Sequence, residues 1–109
     1  MSEAEPTLIG GAVIGQSHAN WPFAKLTADS RGVTLTVQLI GTYEFPISDI
    51  VSVEKFVLFP VVAGGIKIKH TVAQYPPNIV FWHFGSPAGV FRFLGEQGFQ
   101  AAAGIVVQS

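Results

Sequence analysis

Residues 33–39 alternate without a break. Val33, Leu35, Val37 and Leu39 fall on one side, and Thr34, Thr36 and Gln38 on the other. A period of two belongs to an extended strand with one face buried and one solvated. A strand cannot bury its apolar face alone, so this one segment commits the chain to a sheet.

The neighbouring segments repeat the pattern. Residues 8–15 hold three glycines among Leu8, Ile9, Val13 and Ile14, which reads as a first strand with a bulge or sharp coiling. Polar residues 16–20 read as a loop. Pro22 stands near the start of a second strand over 21–28, with Ala24, Leu26 and Ala28 toward the core and Phe23, Lys25 and Thr27 away from it. The run Asp29-Ser30-Arg31-Gly32 is a turn leading into strand 33–39. Further strands are expected over 42–45, 50–59, 65–70 and 79–84. In the sixth, Ile66 and Ile68 point inward and Lys67 and Lys69 outward. Pro76-Pro77 places 71–78 in a loop.

After residue 84 the period changes. Ser86 and Pro87 suit the N-cap and first position of a helix, and Val90, Phe91 and Leu94 follow at helical spacing. Gly98 is a helix stop, and Phe99 is placed to reach back to Leu94 in a Schellman ending. The helix is expected over 87–97. The division is then a flexible tail over 1–7, one domain over 8–99 and an apolar tail over 100–109.

Composition narrows the function. The chain has 109 residues and no cysteine, so disulfides, thiol catalysis and cysteine-ligated metals are excluded. Folding must rest on apolar burial. Charged residues make up 12% of the chain, about half the usual share, so apolar surface is expected outside as well as inside. A net charge of −1 does not suit sequence-independent nucleic-acid binding. The longest apolar run, over 56–66, is broken by Pro60, Gly64 and Gly65 and falls short of the ~20 residues of a membrane span. Residues 1–7, with Glu3, Glu5 and Pro6, do not resemble a basic targeting segment. A soluble, cytoplasmic protein is expected.

Seven strands followed by one C-terminal helix resemble the pleckstrin-homology-like superfold. The resemblance is carried by the strand series of 8–84 and the helix of 87–97, and it is one of architecture, without a sequence motif. The simple composition is similar to that of bacterial domains of this class. The resemblance implies a mainly β, seven-stranded antiparallel barrel or sandwich capped by the helix, and a binding or assembly module in place of an enzyme. Phosphoinositide-binding members carry a cluster of Lys and Arg on the first two strands and their loop. Here that loop is Gln16-Ser17-His18-Ala19-Asn20, with Lys25 nearby, so strong phosphoinositide binding is not expected.

Three groups of residues are candidates for a site. If the first and sixth loops share one end of the barrel, Gln16, His18, Asn20, Trp21, His70 and Tyr75 could form a polar patch for a small ligand or lipid. Two imidazoles lacking an orienting carboxylate make a weak metal site, and solvated loop histidines are the plainer alternative. Phe81 and His83 alternate with Trp82 on the last strand. If outward, they would suit a protein interface; otherwise the helix or the tail covers them. The apolar connection Phe59-Pro60-Val61-Val62 calls for a partner, and self-association is the reading favoured here. No catalytic residue, metal ligand or cofactor is assigned. Asp29, Asp49, Glu54 and Glu96 show no spacing suited to acid–base work, and Gly10-Gly11 lacks the lysine and helix of a phosphate loop. The leading expectation is a non-catalytic module that binds itself or another protein. Ligand or lipid binding at the open barrel end comes second. An enzyme built on His18 and His70 comes last.

Overall fold

The computed structural model describes residues 6–58, 63–99 and 106–108. The strands are β1 (Leu8–Ile14), β2 (Ser17–Asp29), β3 (Gly32–Val37), β4 (Gly41–Pro46), β5 (Ile50–Leu58), β6 (Ala63–His70) and β7 (Ile79–His83). Helix α1 (Pro87–Glu96) follows, and a last strand, β8, spans Val106–Gln108. Strands β1 to β7 form one curled antiparallel sheet, a half-barrel, in the order β4-β3-β2-β1-β7-β6-β5. The short β8 adds to β5 in parallel. This mainly β architecture with a C-terminal helix is the expected fold class, and it is compatible with a pleckstrin-homology-like fold.

Alternation decides which side of the sheet is buried. Across the inner face, Ala12 lies opposite Phe81, which lies opposite Ile66. One step along, Ile14, Ile79, Ile68 and Val53 form the next row. With Leu26, Leu35, Val37 and Phe45 from the other half, these residues make a continuous core. Phe45, Phe81, Leu26, Leu35, Ile66, Ile68 and Ile79 are completely buried. Each such side chain stabilises the fold by roughly 1.5–3 kcal/mol relative to exposure.

Helix α1 closes the core by burying Val90 and Leu94. It packs mainly on β6, where Gly64 leaves room for the ring of Pro87: a β-carbon there would stand 2.6 Å from Pro87 Cδ. Its C-terminus is the Schellman ending expected from the sequence. Phe99 N–H donates to the Leu94 carbonyl at 3.0 Å, Gly98 N–H donates to the Gly95 carbonyl at 3.1 Å, and Gly98 takes φ +87°. Phe99 joins Leu94 in the core. The Ser86 side chain makes no capping hydrogen bond, although its position is that of the cap.

Two expectations are corrected, and one open alternative is resolved. Residues 17–20 are not a loop: a two-residue turn at Gly15 and Gln16, with Gly15 at φ +62°, sends the chain directly into β2. Ser17 pairs with Ile14, His18 with Val13 and Ala19 with Ala12. The expected bulge does occur between β1 and β2. Gly10 faces Ala24 while Ala12 faces Ala19, so Asn20, Trp21, Pro22 and Phe23 have no partners on β1. Leu39 is not in the core. Strand β3 ends at Val37, and Leu39 stands fully exposed at φ +68° in the following turn. Val37 already pairs with Gly41, which forces the chain to reverse within three residues. The alternative resolved is that of Phe81, which is not outward at an interface but turned to the inner face and completely buried.

Of the expected tails, residues 1–5, 100–105 and 109 lie outside the described residues, as do Phe59, Pro60, Val61 and Val62. Among the described residues, no helix is long and apolar enough to cross a membrane.

Candidate functional site

The residues of the expected polar patch are divided by the sheet. His18 lies opposite Val13, and Val13 opposite Val80, on the outer face. His70 follows Ile66 and Ile68 in the inward register of β6. The two histidines therefore stand on opposite faces and do not form a pair. Gln16 does share an end with the loop after β6. The Gly15 N–H donates to the Asn78 carbonyl at 2.8 Å, and a β-carbon on Gly15 would meet the Pro76 ring at 3.0 Å. Asn20 and Trp21 lie further along β2, in the bulge.

His70 and Tyr75 belong to the packing of that end. The Val72 N–H donates to His70 Nδ1 at 3.0 Å, so Nδ1 is the acceptor and Nε2, 2.9 Å from the Pro76 carbonyl, carries the proton. The imidazole also packs on Phe45, ring centroids 4.9 Å apart. Tyr75 stands edge-on to both Tyr43 and Phe45, and its hydroxyl accepts the Glu44 N–H at 3.0 Å. These bonds anchor the loop between β6 and β7 and leave neither ring nitrogen of His70 open to a substrate.

His83 sits where β7 turns into α1. Its Nε2 is 3.0 Å from the Ser86 carbonyl, and β-carbons on Gly85 and Gly89 would each come within 3.1 Å of its ring. With Phe81 buried, the strand's outward residues are Val80 and Trp82, followed by Phe84.

The outer face carries the larger feature. Trp82 lies between Gly11 of β1 and Gly65 of β6, and Gly65 lies opposite Phe56 of β5. The indole covers Gly11, where a β-carbon would be 2.4 Å from Trp82 Cζ2. Val80, Ala63, Val13 and Phe56 pack around it, giving a second apolar cluster on the side of the sheet away from the main core. Phe84 stands edge-on to Trp82 at 5.6 Å, and Trp21, carried there by the β2 bulge, packs on Phe84 at 5.8 Å. Trp82 is only 9% exposed, whereas Trp21 and Phe84 are 47% and 56% exposed. Phe23, also in the bulge, is half exposed, and its carbonyl accepts the Gln38 N–H at 2.9 Å. The result is an aromatic surface whose base is packed and whose outer rings face solvent.

Charge lies beside this surface. In the adjoining row Glu54, Lys67, Val80, Val13 and His18 follow one another across the sheet. Lys69 Nζ is 3.1 Å from Glu54 Oε2, and the Ser52 hydroxyl donates to the same oxygen at 3.2 Å. The bond from Lys69, with Ser52 assisting, holds the Glu54 carboxyl below its ordinary pKa. On the far side, the Arg31 backbone N–H bonded to Asp29 lowers the Asp29 pKa, with help from the Arg31 guanidinium at 3.3 Å. Asp29 and Arg31 border a groove of about 270 Å³ together with Thr27, Thr34, Glu44 and Pro46. Among the described residues, no group of three or more His, Asp or Glu is placed to hold a metal ion.

The alternation of β7 and the residue after it could have revealed the outer cluster, because Val80, Trp82 and Phe84 share one parity. Its base could not be found that way, since Gly11 and Gly65 become slots for the indole only once the strands are paired.

Comparison of the chain with protein-family models, with curated proteins and with solved structures returns no match.

Proposed function

We propose that this chain is a non-catalytic interaction module that associates with copies of itself through the Trp21–Phe84–Trp82 surface. The observation that carries this reading is the half exposure of Trp21 and Phe84 above a packed apolar base. A large exposed aromatic surface is unfavourable in water and is typical of a contact site. Aromatic rings that are already mutually packed lose little freedom on binding, so burying them costs less ordering entropy than burying flexible chains. An isologous contact brings the same patch of both copies together about a two-fold axis. The pleckstrin-homology-like reading of the fold agrees with a binding role.

The alternatives have weaker support. A ligand held within the barrel would need room on the inner face, which Phe45, Phe81, Ile66, Ile68 and Ile79 occupy. An enzyme built on His18 and His70 would need two imidazoles on one side of the sheet.

The test is the concentration dependence of molar mass for the wild-type chain and for a Trp21→Ser/Phe84→Ser variant. The wild type should gain mass toward high micromolar concentration while the variant stays monomeric with an unchanged circular-dichroism spectrum. A wild type that is strictly monomeric throughout would contradict the proposal.

A further inference from the structure

Strand β2 departs from its neighbours over four residues. Ala19 faces Ala12 and Ala24 faces Gly10, so Asn20–Phe23 span the place of the single residue Gly11 on β1. The pairing of β2 with β3 begins only at Ala24, opposite Val37. The arm so formed carries Trp21 onto Phe84, ring centroids 5.8 Å apart. Side-chain packing supplies only part of its hold, since Trp21 and Phe23 are both about half exposed. Its far end is tied through the backbone, where the Gln38 N–H donates to the Phe23 carbonyl at 2.9 Å. Gln38 belongs to the turn between β3 and β4. In that turn Leu39 takes φ +68°, and the Ile40 N–H closes on the Val37 carbonyl at 3.0 Å. Leu39 is fully exposed, so what the turn requires of it is a backbone conformation and not packing. That conformation reverses the chain before Gly41 and leaves the Gln38 N–H directed at β2.

We propose that the β3–β4 turn positions Trp21 for the self-association contact, acting through the bond from Gln38 to Phe23. With that bond, the arm is fixed at Ala19 on one side and at Phe23 on the other. Without it, the fixed points are Ala19 and Ala24, and the untied span grows from three residues to four. A longer free span has more conformations to lose when Trp21 seats on Phe84. Gln38 acts through its N–H and Leu39 through its φ, so both are positioning residues. The functional consequence rests on the reading of the Trp21–Phe84–Trp82 surface as a self-association site, whereas the position of Trp21 is a property of a single chain.

The test compares two substitutions of one residue in the full chain. Gln38→Ala keeps the N–H, and Gln38→Pro removes it. Val37, extended in β3, suits the residue before a proline. Two quantities are measured: the nuclear Overhauser contact between the Trp21 and Phe84 rings within one chain, and the dimerisation constant by sedimentation equilibrium. Gln38→Pro should weaken the ring contact and lower the association constant about three- to tenfold, as the loss of one backbone hydrogen bond implies. Gln38→Ala should match the wild type in both. If the proline chain fails to fold, two Leu39 variants carry the test. Leu39→Gly keeps the left-handed conformation and should preserve the ring contact, whereas the β-branched Leu39→Val opposes that conformation and should weaken it. Loss of the ring contact in Gln38→Pro with a wild type that stays monomeric would contradict the self-association reading alone and bear out the positioning of Trp21. A Gln38→Pro chain that keeps the wild-type ring contact, a Gln38→Ala chain that loses as much of it as Gln38→Pro, or a Leu39→Val chain indistinguishable from Leu39→Gly would overturn the proposal.

Discussion

The indole of Trp82 lies so close over Gly11 that a β-carbon there would come within 2.4 Å of Trp82 Cζ2 and 2.7 Å of the Ala19 carbonyl oxygen. The outer-face cluster is therefore built on the absence of a side chain. Gly11→Ala should displace the indole and strain the β1–β2 pairing, at a cost of about 1–3 kcal/mol. Urea denaturation followed by tryptophan fluorescence measures both effects, with a lower midpoint and a red-shifted native spectrum expected. An unchanged spectrum would mean that Trp82 does not rest on Gly11.

Tyr75 joins the loop between β6 and β7 to the edge of β4 through the Glu44 N–H. Tyr75→Phe keeps the ring contacts with Tyr43 and Phe45 and removes only the hydroxyl. The expected loss is about 0.5–1.5 kcal/mol, together with faster hydrogen exchange at the Glu44 amide. Equal exchange in the two chains would rule the bond out as a constraint in solution.

Two backbone positions should respond in opposite directions. Gly98 ends the helix at φ +87°, and a β-carbon there would meet only the Ser30 backbone nitrogen at an ordinary 3.8 Å, so Gly98→Ala is opposed by backbone conformation and should cost about 1–2 kcal/mol. Leu39 holds φ +68° while making no core contact, so Leu39→Gly should relieve strain and raise the thermal midpoint. Thermal unfolding of both variants decides the point, and a midpoint lowered by Leu39→Gly would count against the turn geometry.

Acid should weaken the fold through Glu54 and Asp29. Each has its pKa lowered in the folded chain, from ordinary values of 4.5 and 3.8. Each therefore contributes stability that is fully present above its ordinary value and is lost as pH falls through the lower folded one. The denaturation midpoint should drop as pH decreases below 4.5. Glu54→Gln should flatten the upper part of that decline, since it removes the carboxylate that Lys69 and Ser52 hold. A variant that follows the wild-type acid curve would show that this cluster is not coupled to folding.

Local patterns made much of the fold legible. The alternation of Val33, Leu35 and Val37 marked the inner face of β3, and Gly98 followed by Phe99 marked the end of α1. Legibility failed where pairing, and not composition, determines structure. Residues 17–20 are polar, yet they extend as a strand because Ile14, Val13 and Ala12 on β1 pair with Ser17, His18 and Ala19. Leu39 continues an apolar alternation past the point where the β3–β4 hairpin has to turn. Strand β7 has bulky residues on both faces, so its sequence alone does not say whether Phe81 or Trp82 is inside. The candidate site was the least legible part. Trp21, Phe84 and Trp82 come from two distant segments, and the β2 bulge that unites them depends on a register with β1.

The most direct measurement of the central claim is an isotope-filtered nuclear Overhauser experiment on an equimolar mixture of labelled and unlabelled chains at high micromolar concentration. The account predicts intermolecular contacts at the rings of Trp21 and Phe84. Their absence at concentrations where the chain associates, or intermolecular contacts confined to other surfaces, would contradict it.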